Sequence, residues 1–266
     1  MKISVLQMPV VVDKSENLAE AERLIKLSVK AGADIAVLPE MFCCPYSNDY
    51  FTDYAEPVGG EIWNFLSKAA KEYSIYLVGG SMPEIDVDKI YNTCFVFNRN
   101  GEQIARHRKV HLFNVDIEGG QRFFESETFT AGDDVTVFDT EFGKIGLCIC
   151  FDLRFPELSR SMTLKGASMV IVPAAFNMTT GPMHWETMFR QRAVDDQLFT
   201  VGASPAHNEQ GIYVSYANSI VCDPWGRVMA RAGFEPEVIT AEIDFSEIPS
   251  ARKQLPLLSA RRPEVY

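Results

Sequence analysis

The stretch KIGLCICFDLRFPE, residues 144–157, joins an apolar run to a group of charged residues. Side chains of a β-strand alternate between two faces, so the apolar run predicts a strand with Cys148 and Cys150 on one face. The residues from Pro156 to Leu164 show a helical pattern, and proline is favoured in the first turn of a helix. Ligands of α/β proteins bind near the carboxyl ends of strands. The stretch therefore predicts a strand followed by a helix, with Cys150 closer than Cys148 to a functional site.

The same alternation of strand-like and helical segments extends along the chain. Short apolar runs, several rich in Val and Ile, predict further buried strands in KISVLQM, DIAVLPE, IYLVGGSM, SMVIVPAAF and LFTVGASP. Helical patterns cover residues 17–30, 61–73 and 156–164 and the segment after Met183. Turn residues in NRNGE and DPWG predict two hairpins. This mixture predicts an α/β fold with mixed sheets and outer helices. Because no linker, repeat or low-complexity tract interrupts residues 1–266, we expect a single domain.

The composition argues against several classes of function. The 266 residues are 47% hydrophobic, and 25 basic against 36 acidic residues give a formal charge of −11. No Lys/Arg-rich run could follow a phosphate backbone, so neither nucleic acid nor an anionic membrane is an expected partner. No apolar span reaches the ~18 residues of a membrane helix, and the N-terminal segment lacks the pattern of a signal peptide. We expect a cytoplasmic protein.

Six cysteines in a chain of this length, without a secretory signal, are expected to be reduced thiols. Their spacing lacks the paired pattern of a metal site, so no metal is expected. Most are expected to be small core residues. They are Cys43, Cys44, Cys94, Cys148, Cys150 and Cys222.

Two charged residues are set into apolar runs. Glu40 ends DIAVLPE, and Lys109 lies in HRKVHLF. Charges in such runs must be paired or face a pocket. With Cys150 they suffice for acyl transfer: the carboxylate accepts the thiol proton, the thiolate attacks a carbonyl, and the ammonium stabilises the oxyanion. A cysteine–histidine pair stays open as an alternative, although the papain-like cysteine signature is absent. The histidines are His107, His111, His184 and His207.

Three segments, LPEMF, RKVHLF and CFDLRFPE, resemble in this order the signature segments of the nitrilase superfamily of carbon-nitrogen hydrolases. The resemblance covers nearly the whole chain and is strongest to the omega-amidase branch, through segments such as YLVGGSMPE, PAAFNMTTGPMHWE and DPWG. It implies a four-layer α-β-β-α sandwich and a homodimer that pairs a helical face. It also implies hydrolysis of the terminal amide of short 2-oxo dicarboxylic monoamides, without a metal or organic cofactor.

The resemblance further implies roles by position. Cys150 would be the nucleophile, Glu40 the general base and Lys109 the oxyanion stabiliser. Glu125, in FFESETF, would be a second carboxylate that orients the lysine and the attacking group, and the backbone amide of Phe151 would be a second oxyanion donor. The amide would be converted to a thioester, which water then hydrolyses.

A substrate carboxylate requires a cationic or donor-rich spot near the thiol. Arg154 is the candidate; the alternative is an ion pair of Arg154 with Asp152 or Glu157 that holds the strand-to-helix turn. The other candidates for contact with substrate are aromatic or hydroxyl side chains, namely Phe151, Phe176, Thr180 and Tyr46. His184 and Trp185 are more typical of a packing pair that opens a helix.

Other functions stay open at this level. Another branch of the superfamily would act on deaminated glutathione, N-carbamoyl amino acids or nitriles, although nitrilases usually carry tryptophan where this chain has Phe151. Outside enzymes, the alternatives are a scaffold that kept the fold and a thiol sensor built on Cys148 and Cys150. The set of Glu, Lys and Cys argues against a scaffold, and measured amide turnover would make the sensor unnecessary.

Overall fold

Strands and helices alternate along the chain, as the spacing of the apolar runs predicts. The computed structural model describes residues 1–265, so the predicted domain boundary at Tyr266 lies outside the described residues. The helices are α1 (Lys14–Lys30), α2 (Asn48–Phe51), α3 (Glu61–Glu72), α4 (Pro156–Leu164), α5 (Gly181–Asp196) and α6 (Glu247–Gln254). The strands are β1 (Lys2–Gln7), β2 (Ile35–Val37), β3 (Tyr76–Val78), β4 (Met82–Asp86), β5 (Lys89–Phe97), β6 (Gln103–Arg108), β7 (Asn114–Asp116), β8 (Arg122–Phe124), β9 (Thr136–Thr140), β10 (Gly143–Leu147), β11 (Met169–Pro173), β12 (Phe199–Ala203), β13 (Ile220–Cys222), β14 (Val228–Arg231) and β15 (Glu237–Glu242).

The first sheet has seven strands within the described residues. Its centre is parallel, with β1 paired to β2 and β2 to β3. β15 pairs antiparallel with β1 at one edge. On the other side the long strand β5 pairs antiparallel with β3, β4 and β6. β6 therefore runs parallel to β2, and both strands end at the same edge of the sheet.

The second sheet, over the same range of residues, has six strands in the order β14-β13-β12-β11-β10-β9. β10, β11 and β12 are parallel to one another. Parallel neighbours require a crossover connection, which α4 supplies between β10 and β11 and α5 supplies between β11 and β12. β7 and β8 form a hairpin that belongs to neither sheet.

Alternating side chains of the first sheet reach two different cores. Ile3 and Val5 of β1 lie in the core between the two sheets. Leu6, on the opposite face, lies in a second core with side chains of α1 and α3. Outside the second sheet, α5 packs so closely on β12 that a Cβ at Gly202 would lie 2.4 Å from the ring of Phe189. The layers are helices, sheet, sheet and helices, and the expected four-layer α-β-β-α sandwich is confirmed.

Two predicted boundaries are wrong. α1 begins three residues earlier than expected, at Lys14, because the carboxylate of Asp13 accepts hydrogen bonds from the first free backbone N–H groups of the helix. The strand expected to run through Cys150 ends at Leu147. Strand alternation therefore does not position this cysteine, and a tight turn does. The hairpin of β7 and β8 is a further difference, because strands of three residues are too short to show alternation.

Candidate active site

Glu40 lies in a tight turn that follows β2. The next residue, Met41, has a φ of 51°, and its backbone N–H donates to Ser81 Oγ at 3.0 Å. Gly80 has a φ of 60° and lies so close to this turn that a Cβ on it would be 2.1 Å from the carbonyl oxygen of Pro39. Only glycine combines this backbone angle with this approach. The neighbouring strand end therefore fixes the turn, and the Glu40 side chain is fully buried.

Lys109 follows β6 and is fully buried between two carboxylates. Its Nζ lies 2.9 Å from Glu40 Oε1 and 2.9 Å from Glu125 Oε1. Burial alone would lower the pKa of Lys109, but the attraction of Glu125 and Glu40 outweighs burial and raises that pKa above its ordinary value. Lys109 is therefore an ammonium throughout the neutral range. The two carboxylates supply the partners that a charge in an apolar run requires.

Glu125 is held by donors on both of its oxygens. Oε1 accepts from Tyr46 Oη at 2.6 Å and from Asn92 Nδ2 at 3.2 Å, in addition to Lys109. Oε2 accepts from the backbone N–H of Phe113 at 2.6 Å. Tyr46 Oη also accepts from Lys109 Nζ at 3.3 Å. With its oxygens occupied in this way, Glu125 is held in place beside the ammonium of Lys109.

Glu40 keeps one oxygen free. Its Oε1 accepts from Lys109 Nζ and, at 2.9 Å, from Asn92 Nδ2. Its Oε2 is buried and accepts no hydrogen bond from residues 1–265. Burial raises the pKa of Glu40, and the attraction of Lys109 opposes this only in part. A buried carboxylate with a raised pKa and a free oxygen is suited to accept and return protons.

Cys150 lies at the turn between β10 and α4. It begins a short 3₁₀ turn, Cys150–Arg154, and its φ of 47° is in the left-handed region. Such a conformation costs a non-glycine residue on the order of 1–3 kcal/mol and persists only where the surrounding structure enforces it. The side chain is 5% exposed. Cys148 is also buried, in a hydrophobic core cluster, as expected.

The environment of the Cys150 thiol keeps it protonated. Burial raises its pKa well above the ordinary value, and the negative charge of Glu40 raises that pKa further. To act as a nucleophile, the thiol would therefore need a base that removes its proton. Burial also raises the pKa of Cys148. Redox-sensor cysteines are exposed and have a low pKa, so neither cysteine has the environment of a sensor.

A small cavity of about 10 Å³ opens at the thiol of Cys150. Its wall contains four of the five residues expected to contact substrate. The lining residues besides Cys150 are Phe113, Phe151, Arg154, Ala175, Phe176, Asn177 and Thr180. The fifth, Tyr46, lies instead on Glu125 and lines a larger cavity of about 220 Å³ that adjoins Glu40.

The guanidinium of Arg154 has polar neighbours but, among residues 1–265, no acidic partner. Its Nη1 lies 3.0 Å from His184 Nδ1, and its Nη2 donates to Thr180 Oγ1 at 3.3 Å. Within the part of the chain that the structure describes, no carboxylate forms an ion pair with it. The alternative expectation, an ion pair with Asp152 or Glu157, is therefore wrong. Asp152 instead accepts hydrogen bonds from two histidines.

Sequence reasoning missed two residues of the site. Asn92 lies in the middle of β5, fully buried, and bridges the two carboxylates. The sequence does contain a signal for Asn92, because a buried amide side chain within an apolar strand requires hydrogen-bond partners. Tyr213 donates to the carbonyl oxygen of Ala175 at 2.5 Å, and its ring centroid is 4.8 Å from that of Tyr46. No sequence pattern identifies Tyr213.

Residues 1–265 contain neither a helix that could span a membrane nor a cluster of side chains that could hold a metal ion. No helix there combines the length and the apolar character that crossing a membrane requires. Over the same residues, no three His, Cys, Asp or Glu side chains are grouped closely enough to hold a metal ion.

Comparison with known proteins agrees with the geometry. The family model of carbon-nitrogen hydrolases matches residues 2–253. Omega-amidase NIT2-B of Xenopus laevis is 48% identical over 265 residues, which cover 100% of this chain and 96% of that protein. Omega-amidase NIT2 of Homo sapiens is 42% identical with the same coverage. The crystal structure of Nit3 from Saccharomyces cerevisiae, a member of branch 10 of the nitrilase superfamily, is 43% identical, covers 98% of this chain and 96% of that chain, and superposes with a TM-score of 0.91. Sequence, fold and the buried set of Glu, Lys and Cys agree, and the chain belongs to the carbon-nitrogen hydrolase family.

Proposed function

We propose that this protein hydrolyses the terminal amide of small 2-oxo dicarboxylic acid monoamides to the acid and ammonia, through a thioester on Cys150. The observation that carries the substrate class is the guanidinium of Arg154, which lines the cavity at Cys150 without an acidic partner in residues 1–265. A substrate carboxylate would pair with it while the amide at the other end meets the thiol. The similarity to two omega-amidases, at 48% and 42% identity, supports the same class.

In the first half-reaction, Glu40 accepts the proton of the Cys150 thiol as the sulfur attacks the amide carbon and a C–S bond forms. Lys109 and the backbone N–H of Phe151 stabilise the oxyanion of the tetrahedral intermediate. Glu40 then returns the proton to the nitrogen as the C–N bond breaks. Ammonia leaves, and the acyl group remains on Cys150 as a thioester. The raised pKa of the thiol supports this role of Glu40, because no preformed thiolate is available.

In the second half-reaction, water replaces ammonia. Glu40 accepts a proton from the water as its oxygen attacks the thioester carbon, and the C–S bond breaks as Glu40 returns the proton to the sulfur. Glu40 thus begins and ends each half-reaction as a carboxylate. Its Oε2, the oxygen without a partner among the described residues, is available for both proton transfers.

Substrate binding requires the walls of the site to move apart. The cavity at Cys150 measures about 10 Å³, roughly the space of one water molecule. Gln121, next to β8, contacts Asn177, which lines this cavity. We propose that this contact opens to admit the substrate and that Phe151, Phe176 and Thr180 then surround its carbon chain.

A panel of amides tests the assignment. Ammonia release is measured with 2-oxoglutaramate, 2-oxosuccinamate, deaminated glutathione, N-carbamoyl amino acids, a simple nitrile, glutamine and butyramide. The proposal predicts that the first two are the best substrates. It also predicts a preference over butyramide of up to about 10⁴, because butyramide leaves the buried polar groups unpaired. If butyramide were hydrolysed as fast as 2-oxoglutaramate, or another compound of the panel faster, the proposed substrate class would be wrong. Only membership of the carbon-nitrogen hydrolase family would then remain.

Variants of Arg154 locate the source of that preference. Arg154→Met should narrow the preference for 2-oxoglutaramate over butyramide, mainly by slowing the charged substrate. Arg23→Met is the matched control, because Arg23 is an exposed residue of α1 whose ion pair is with Glu20, one turn away on the same helix. A folded Arg154→Met protein with wild-type selectivity would move carboxylate recognition to Phe176, Thr180 or Tyr46.

We make three further proposals, on domain organisation, oligomeric state and location. We propose that residues 1–266 form one domain, which the family match over residues 2–253 supports. We also propose a homodimer that pairs a helical face, as the family resemblance implies, and light scattering in solution tests it. A cytoplasmic location is the third, and six cysteines without a disulfide are compatible with it.

A further inference from the structure

Asp152 is a buried carboxylate with four donors, two residues after Cys150. Its Oδ1 accepts from the backbone N–H and from Nδ1 of His111, both at 2.8 Å. Its Oδ2 accepts from Nε2 of His107 and from the backbone N–H of Ile149, both at 3.0 Å. Burial alone would raise the pKa of Asp152, but the hydrogen bonds from the histidines outweigh burial and hold that pKa well below its ordinary value. Asp152 is therefore an anion at neutral pH, and none of these four bonds goes to substrate-facing groups.

The four donors come from two segments that each carry one group of the proposed machinery. His107 and His111 flank Lys109, two residues before and two residues after it. Ile149 directly precedes Cys150. The first segment ends a strand of the first sheet, and the second follows a strand of the second sheet. The carboxylate of Asp152 thus connects the two sheets beside Lys109 and Cys150.

Both histidine rings are fixed in place and do not line the cavity at Cys150. His107 is fully buried, and its second nitrogen, Nδ1, lies 2.9 Å from Thr136 Oγ1. The ring of His111 stacks on Phe155, with 3.7 Å between the centroids and 9° between the planes. Their nitrogen contacts with Asp152 therefore serve to hold structure and not to exchange protons with a substrate.

We propose that Asp152 is a positioning residue, which through His111 sets the placement of the Cys150 thiol relative to Lys109. The inference rests on the proposed amide hydrolysis. Cys150 is held at a φ of 47°, a strained angle that needs external support, and the bond from Ile149 to Asp152 closes this turn. A misplacement of about 1 Å between reacting groups costs about 100-fold in rate.

Two substitutions of His111 form the test. In His111→Asn, the side-chain amide nitrogen occupies the place of Nδ1 and keeps the donor to Asp152. In His111→Leu, the donor is lost. Neither variant keeps the ring that stacks on Phe155, so the pair differs mainly in the hydrogen bond. The readouts are kcat and KM for 2-oxoglutaramate, thermal melting, and the rate at which iodoacetamide alkylates Cys150, followed by peptide mapping.

The proposal predicts that His111→Leu lowers kcat about 30- to 100-fold and slows alkylation of Cys150, with KM little changed. His111→Asn should retain kcat within about threefold and should alkylate like the wild type. Asp152→Asn, where it folds, should resemble His111→Leu. The proposal is overturned if His111→Leu keeps wild-type rates, if His111→Asn loses activity as severely as His111→Leu, or if the loss merely follows the unfolded fraction.

The alkylation rate separates this inference from the proposed function, because iodoacetamide reports on the thiol without the substrate. If the wild type fails to hydrolyse 2-oxoglutaramate but the two variants still differ in Cys150 alkylation, the function is wrong and the positioning role stands. If the wild type hydrolyses it and the alkylation rates of both variants equal the wild-type rate, the function stands and the positioning role is wrong.

Discussion

Replacing Lys109 with methionine removes the only cation that contacts Glu40 and Glu125 among the described residues. Methionine keeps nearly the length of the lysine side chain, so the change isolates the charge and its hydrogen bonds. Both carboxylates are fully buried, and each loses a contact of 2.9 Å. The variant leaves the negative charges of two fully buried side chains close together.

The size of the effect follows from this burial. Removing one partner of a buried ion pair costs about 3–5 kcal/mol. For a chain of this size each kcal/mol lowers the melting temperature by about 2–4 °C, so the variant should melt roughly 6–20 °C below the wild type. Loss of one oxyanion donor should lower turnover by about a hundred- to a thousandfold. Lys144→Met is the control, because Lys144 pairs with Asp139 at the surface and should contribute below about 1 kcal/mol.

The destabilisation should depend on pH with a definite sign. Without Lys109, the main attraction that opposes burial is lost, so the pKa of Glu40 lies further above its unfolded value. A group whose pKa is raised in the folded state stabilises the fold below its unfolded pKa, and this contribution is lost as the pH rises through the folded pKa. The deficit of the variant against the wild type should therefore be smaller at pH 5.5 than at pH 8.

Thermal and denaturant unfolding at both pH values, with ammonia release from 2-oxoglutaramate, measure these effects. We expect a low melting temperature that partly recovers at pH 5.5 and a turnover that stays low at both pH values. A deficit of equal size at pH 5.5 and pH 8 would show that ionisation of Glu40 is not the source of the instability, and turnover within about tenfold of the wild type would show that Lys109 is not an oxyanion donor.

The remaining predictions concern the thiol, the turn at the base and the pH profile. Cys150→Ala should abolish ammonia release with the fold intact by circular dichroism, whereas Cys148→Ala should keep most activity; the reverse pattern would assign the nucleophile to the other thiol. Gly80→Ala should lower both melting temperature and turnover, because its Cβ would lie 2.1 Å from the carbonyl oxygen of Pro39 and would displace the turn that carries Glu40; wild-type values of both would contradict this. Because burial raises the pKa of Glu40 and the base must be ionised, kcat/KM should fall with decreasing pH at a value above the ordinary 4.5, and an acidic limb at or below 4.5 would exclude Glu40 as the base.

The sequence predicts those residues of the site that depart from a local pattern, such as a charged residue within an apolar run. Glu40 and Lys109 are charges set into apolar runs, and burying them unpaired would be costly, so each predicts a partner. Cys150 is predicted by its place between an apolar run and a charged group. The strands and most helices are also predictable, because the alternation of a strand and the periodicity of a helix are local patterns in the sequence.

The rest of the site depends on contacts between distant segments. The environment of Arg154 is made by Thr180 and His184, 26 and 30 residues further along the chain. The sequence instead offers Asp152 and Glu157 as partners, because they are close to Arg154 along the chain. The strained angle of Cys150 also leaves no local signal, because a left-handed conformation is usually recognised by a glycine. Only the packing of the two sheets brings these features together.

The most direct measurement follows the acyl group as it partitions between water and hydroxylamine. The enzyme is given glutaramate, the analogue of 2-oxoglutaramate without the ketone that hydroxylamine would convert to an oxime, or the corresponding methyl ester. Hydroxylamine is added at several concentrations, and hydroxamate and acid are both quantified. If both substrates form the same thioester on Cys150, the leaving group has departed before partitioning, and the ratio of hydroxamate to acid is the same for both at each concentration. A ratio that differs between the two substrates, or hydrolysis that continues without any hydroxamate, would contradict a covalent intermediate on Cys150.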